Sequence, residues 1–312
     1  MILHGVCVPN NTVQIVIKTR QGKSATFDEN GYTPLMKASL SRNFRLVRHL
    51  IIHGANVNVR HPQYNTTALF YAAQENSAKI TKYLVGHRAY VNIVDNNGQT
   101  PLHYAATANS LEVMCVLLAH RAKLDPRDRL GQTPLIVAAY SSHITPLIAL
   151  WKAGADVNSK DYGGFTALMY TSLVGNANDV SIVRWLISAG AKVNAQSLDG
   201  NTALYEACIY ARFKAISVLL KASADPNIAN KDGVTPLMRV CDSGDTDVID
   251  SPEKTEIVAS VIMLIAHGAN IWKHDRDGKT ALDYAMSRQR YYLFPVICGF
   301  TMFHTIWSLP TK

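Results

Sequence analysis

The sequence predicts an all-α fold built as a linear array of helical hairpins, and two observations carry that expectation. A Thr-Pro-Leu or Thr-Ala-Leu triplet opens at Thr33, Thr67, Thr100, Thr133, Thr166, Thr202, Thr235 and Thr280, with successive spacings of 34, 33, 33, 33, 36, 33 and 45 residues. A period near 33 marks repeats that bury their apolar faces only against neighbours. Hydrophobic residues make up 48% of the 312, enough for a core that grows by stacking. An array of this kind is built around an extended surface. Binding is therefore the first functional expectation, and no enzyme is expected.

Residues 95–125 show the unit. Gly98 can take the positive φ of a tight turn. Thr100 is a good N-cap, and Pro101 at the first helical position loses no needed N–H. Leu102 begins a short apolar helix whose Ala105 and Ala106 let a second helix, Leu111–Ala119, pack closely, with Val113, Val116 and Leu117 inward. A polar finger leads onward. Closing sequences recur at Gly54-Ala55-Asn56-Val57-Asn58, Gly154-Ala155-Asp156-Val157-Asn158 and Gly190-Ala191-Lys192-Val193-Asn194. The small-residue column Ser39, Ala73, Ala106, Ala139, Ser172, Cys208 and Cys241 makes the last two thiols packing residues.

This Gly-x-Thr-Pro-Leu-His-x-Ala-Ala…Leu-Leu-x-x-Gly-Ala-x-Val-Asn pattern resembles the ankyrin repeat over residues 28–290. The resemblance implies helix–loop–helix units joined by β-hairpin fingers, stacked as a curved solenoid with a concave face. Repeats fall near 28–60, 61–94, 95–127, 128–160, 161–196, 197–229, 230–274 and 275–290. The family's His survives only as His103; Met36, Phe70, Ile136, Met169, Tyr205, Met238 and Asp283 replace it, which predicts a weaker hydrogen-bond network. Asn65 replaces a turn glycine in a finger one residue longer, and Trp272 replaces a finger Asn. Both fingers are expected to deviate in shape. Finger asparagines preceded eight residues earlier by Leu match the family's hydroxylation pattern at Asn58, Asn92, Asn158, Asn194 and Asn227, although the fold asks for the same residues.

Two insertions separate paired helices. One surrounds Gly175–Asp179. The other, Asp242–Lys254, is acidic, and its composition predicts a mobile loop. Its Ser251-Pro252 is a candidate phosphorylation site, weighed against a tolerated insertion. Residues 1–27 read as a degenerate N-terminal cap with a strand-like Val13–Ile17, or as a partial repeat, since Met1–Asn10 resembles a repeat's tail. Residues 291–312 form an apolar segment. Its best stretch, Tyr291–Trp307, includes Pro295, Gly299 and His304, which favours a cap over the last repeat above a membrane anchor.

Net charge is +8. Residues 1–60 hold eight Lys/Arg against Asp28 and Glu29, whereas residues 242–312 hold seven against nine acidic residues. Charges scattered in this way favour a solvated surface over a nucleic-acid partner. Arg42, Arg45 and Arg48 share one face of an outer helix and read as a surface stripe. Five unclustered cysteines (Cys7, Cys115, Cys208, Cys241, Cys298), with no basic-led apolar leader, predict a reducing compartment, cytoplasmic or nuclear. No nucleophile–base pair, phosphate loop or metal cluster can be assembled, and no cofactor is expected.

The resemblance also implies where a partner docks: on finger tips and on exposed ends of the inner helices. Repeats four to six turn apolar there. Leu130, Tyr140, Tyr162, Phe165, Leu173, Val174, Leu198, Ile209, Tyr210 and Val234 are expected to line one contiguous stripe that captures another polypeptide. The expected protein is a monomeric, non-catalytic adaptor or scaffold. The alternatives are an adaptor tethered to membrane through residues 291–312 and a nucleic-acid-associated regulator.

Overall fold

Three short antiparallel strands open the computed structural model, which describes residues 3–7, 13–18, 24–174, 180–243 and 252–299. They are β1 (Leu3–Cys7), β2 (Val13–Lys18) and β3 (Ser24–Phe27), with Leu3 opposite Ile17 and Ile15 opposite Phe27. Within the stretch likened to a repeat's tail, Leu3–Cys7 is β1, and the strand-like Val13–Ile17 lies in β2.

Helices then follow in pairs. The first compact unit, residues 1–156, holds α1 (Pro34–Leu40), α2 (Phe44–Ile52), α3 (Ala68–Gln74), α4 (Ala78–Gly86), α5 (Pro101–Thr107), α6 (Leu111–Ala119), α7 (Pro134–Tyr140) and α8 (Ile144–Lys152). The second, residues 157–312, holds α9 (Ala167–Val174), α10 (Ser181–Ser188), α11 (Ala203–Ile209), α12 (Phe213–Lys221), α13 (Pro236–Asp242), α14 (Pro252–Ala266), α15 (Ala281–Ser287) and a 3-10 turn, Tyr291–Leu293. Helices bound the acidic insertion on both sides. Asp242 ends α13 and α14 begins at Pro252, because proline at a first helical position sacrifices no hydrogen bond. Gly175–Asp179 and residues 244–251, which include Ser251 and most of the stretch expected to form a mobile loop, lie outside the described residues.

Two-turn helices of this length are not stable alone, so packing must hold them. Within the first unit α1 packs on α3, α3 on α5 and α5 on α7, while α2, α4, α6 and α8 form a parallel row. The second unit repeats the scheme, with α9, α11, α13 and α15 in one row and α10, α12 and α14 in the other. The triplet leucines Leu69, Leu102, Leu135, Leu168, Leu204 and Leu237 are sealed between the rows, each burial contributing roughly 1.5–3 kcal/mol. Ser39, Ala73, Ala106, Ala139, Ser172, Cys208 and Cys241 are all buried, as a small-residue contact column requires. Desolvation pushes both thiols well above their ordinary pKa, so they are inert packing groups.

The last repeat closes differently. Met286 stands in the small-residue column and is 49% exposed. Leu293 and Ile297 are buried instead. Arg290 reaches back to Cys241, donating to its carbonyl at 2.9 Å, and also donates to the Ser243 carbonyl. No helix among the described residues is long and apolar enough to cross a membrane.

Candidate protein-binding surface

Each finger is built around one polar side chain five residues before the capping threonine. Asp95 shows the pattern: its N–H donates to Gln99 O, Gly98 N–H donates to Asp95 O, and its carboxylate accepts from the amides of Asn97 and Gln99, both at 2.8 Å. Asp28, Asp128, Asp161, Ser197, Asn230 and Asp275 close their fingers by the same backbone pair, and at Ser197 the hydroxyl replaces the carboxylate as acceptor of the Asn201 amide. A tyrosine four residues into the following helix ties the finger down. Tyr104 donates to Asp95 at 3.0 Å, Tyr170 to Asp161 at 2.7 Å and Tyr284 to Asp275 at 2.7 Å.

In the longer second finger His61 replaces the acid. Its Nδ1 accepts from the amides of Gln63 and Tyr64, its Nε2–H donates to Asn30 O at 3.0 Å, and Asn65 takes the left-handed turn position at φ 63°. The expected deviation is real there, and is absorbed by the imidazole. The Trp272 finger, by contrast, keeps the common turn, because Asp275 and Gly278 set its tip and residue 272 does not.

Adjacent tips are locked together by backbone bonds. Within the second unit Leu198 N–H donates to Gly163 O at 2.8 Å, Lys231 to Asp199 O at 2.8 Å and Arg276 to Asp232 O at 2.9 Å. The approach is so close that a Cβ on Gly164, at φ +78°, would lie 2.6 Å from the Leu198 nitrogen. Tip side chains in that unit are therefore presented as a fixed row.

A second line of clamps runs through the finger asparagines. Asn58 donates to Arg88 O and accepts from Tyr90 N–H; Asn92 bridges Arg121 O and Lys123 N–H in the same way. Asn158, Asn194 and Asn227 each join the corresponding carbonyl and amide of the next loop. Both ends of all five amides are thus engaged structurally. At the Thr+3 positions, His103 accepts from Thr100 N–H at 3.0 Å and donates through Nε2 to Gln132 O at 3.1 Å. The sulfurs of Met36, Met169 and Met238 take over the capping bond at 3.3–3.5 Å, and Asp283 does so at 2.7 Å. Where sulfur or carboxylate replaces His the local cap survives, and the link to the next finger is made by His103 and by Tyr205, whose hydroxyl accepts from Asn230 Nδ2 at 3.3 Å. The ring Nδ1 of His53, His87, His120 and His267 donates to the carbonyl four residues earlier, which makes these histidines helix C-caps.

The ten apolar residues divide between the units. Leu130 and Tyr140 belong to the first; the other eight belong to the second. Leu130, Tyr162, Leu198 and Tyr210 are 60–65% exposed, Tyr140 and Val174 less so, and Phe165, Leu173, Ile209 and Val234 are half-buried. None is sealed in the core. Tyr162 and Leu198 sit on adjacent locked tips, and Val174 and Tyr210 stand at the ends of α9 and α11, which pack on one another. Tyr210 is held in place: the Arg212 guanidinium lies 5.4 Å from its ring centre, and Arg212 Nε donates to Leu173 O at 3.0 Å. A pre-positioned aromatic loses little entropy when covered. Sequence reasoning passed over Tyr64, which is 48% exposed on the second tip and stacks on His61 at 4.6 Å. Its register three residues before Thr67 is the signal that would have found it. Trp272, the most exposed large apolar side chain among the described residues, stands where the other fingers carry Asn or Asp.

Stacked two-helix repeats joined by clamped fingers define a repeat scaffold. A family model described as ankyrin repeats, in three copies, matches residues 43–128, 122–197 and 168–251. The chain belongs to the ankyrin-repeat family, whose repeats are protein-interaction modules. Among solved structures, that of the ankyrin repeat domain of Bcl-3, described as a unique member of the IkappaB protein family, is similar at a TM-score of 0.58 and 28% identity, covering 68% of this chain and 95% of that one. A transient receptor potential cation channel subfamily A member 1 homolog of Caenorhabditis elegans is 30% identical over 129 residues, 38% of this chain and 10% of that protein. An ankyrin repeat, SAM and basic leucine zipper domain-containing protein 1 of Colobus guereza is 37% identical over 92 residues, 28% of this chain and 18% of that protein. Glycerophosphocholine phosphodiesterase gde1 of Schizosaccharomyces pombe is 30% identical over 132 residues, 42% of this chain and 10% of that protein. The chain thus spans between 10% and 18% of the length of these curated relatives.

Proposed function

We propose that the protein is a monomeric, non-catalytic adaptor whose second unit captures a partner polypeptide. The carrying observation is the apolar group Tyr162, Leu198, Val174 and Tyr210, exposed on finger tips and helix ends that hydrogen bonds hold in register. Exposed aromatic anchors in preorganised surroundings carry most of the energy of protein interfaces. Leu173 and Ile209, half-buried beneath them, would form the floor of the contact. Free thiols buried as packing groups fit a reducing compartment, cytoplasmic or nuclear.

The test is affinity capture with mass spectrometry, comparing wild type with a Tyr162→Asp/Tyr210→Asp variant. The prominent partner should be lost while the thermal midpoint stays nearly unchanged, because both side chains are exposed. Equal recovery of every partner would refute the assignment. Tyr140→Asp, in the first unit, separately asks whether that tip residue contributes.

A further inference from the structure

The helices α2 and α4 carry a charged face that adaptor binding through the second unit does not use. From residue 30 to residue 94 there are eight Lys/Arg and a single acid, Glu75. On the outer helices these cations fall in register: Arg45 and Lys79 occupy the second position of their helices, Arg48 and Lys82 the fifth. Residues three apart share a helix face, and packed helices lie about 8–10 Å apart, so the four charges form a two-by-two array. Arg42 and Arg88 extend it at either end. All six are exposed, and among the described residues none joins an ion pair. The next outer helix, α6, places Glu112 at the second position, which ends the array there.

Phe44 and Tyr83 lie within this face but are already engaged. They meet edge to face at 5.4 Å, and the Lys79 ammonium covers Phe44 at 4.3 Å. Neither ring is open for a base to stack on. Apolar side chains do project among the cations: Ile52, on the Arg45–Arg48 face, is 62% exposed, and Leu46, four residues after Arg42, is exposed as well. An aliphatic group beside an array of cations has no role against a sugar–phosphate backbone. It gains energy by entering a lipid headgroup layer whose phosphates meet the surrounding charges.

We propose that the outer face of α2 and α4 rests on an anionic phospholipid surface, with Arg45, Arg48, Lys79 and Lys82 on the headgroups and Ile52 inserted. This is peripheral binding by the folded repeats, distinct from any anchoring by residues 291–312.

The test is flotation of the full chain with vesicles of phosphatidylcholine alone and with added phosphatidylserine, alongside duplex RNA retention. Wild type should float only with the anionic vesicles and be released by salt. Reversing the array (Arg45→Glu, Arg48→Glu, Lys79→Glu, Lys82→Glu) should weaken flotation at least about a hundredfold, at roughly fivefold per cation. Ile52→Ser, a change too small to threaten the fold, should cost about tenfold on vesicles and leave any RNA retention untouched. Three results overturn the proposal: no flotation with anionic vesicles, flotation indifferent to both variants, or RNA bound more tightly than vesicles with Ile52→Ser neutral, which would make the partner a nucleic acid.

Discussion

His61 and His103 each do what another residue does elsewhere in the chain, and both are held as neutral imidazoles. Each ring accepts backbone N–H at Nδ1 and donates from Nε2 to a neighbouring finger's carbonyl. Desolvation lowers the pKa of both, only partly offset by those carbonyls and nearby carboxylates. Since the folded values lie below the unfolded value of about 6.5, the full contribution is present above that pH and lost as pH falls through the folded values. The urea midpoint of the first unit should therefore drop between pH 7 and pH 5, and His61→Asn should flatten that slope. Asp125 is a mismatch of the opposite kind. It stands where five other fingers have Asn, so it accepts from the Asp156 amide but donates nothing, and desolvation raises its pKa. Asp125→Asn should restore a donor and raise first-unit stability by about 1 kcal/mol, read as a higher melting midpoint.

Fingers are the elements on which the site depends, because they convert a helical stack into a row of presented side chains. Two glycines of the second unit separate the reasons a finger needs glycine. Gly164 and Gly190 both have positive φ, but only Gly164 faces the next finger's backbone, whereas Gly190 has nothing within 4 Å. Gly190→Ala should cost about 1–2 kcal/mol for the left-handed backbone alone. Gly164→Ala adds a clash with Leu198 N that no rotamer relieves, so its melting loss should exceed that of Gly190→Ala by at least about 1 kcal/mol. Equal losses would show that the tips are not locked. Capping threonines, triplet leucines and finger asparagines were legible as elements because stacking demands the same residue at the same register in every unit. The second finger was less legible: a histidine serving as a carboxylate's substitute leaves no periodic signal.

Over the whole molecule, stability should follow the neighbour contacts of a repeat array, with the terminal repeat weakest. That repeat has half-buried Leu282 and exposed Met286, and relies on Leu293, Ile297 and the Arg290 bonds back to α13. Leu293→Ala should cost about 2–4 kcal/mol locally, and hydrogen exchange should accelerate over 281–299 before the rest of the second unit. Unaltered exchange there would show that the segment caps nothing. The apolar C-terminal composition suggested either a cap or an anchor, and burial of Leu293 and Ile297 shows that its start packs against the fold.

Periodicity by itself determined the repeat, its two helices, its caps and its turn positions, since each is a local demand that every unit must meet. Register also marked ten outward positions as apolar, and all ten retain exposure. Only the tertiary structure decided which contacts cross between repeats: His61 to Asn30, Arg212 to Leu173, and Arg290 to Cys241. Such pairs join residues 31 to 49 apart through space, and whether they meet depends on how helices pack, a property no single stretch of sequence carries.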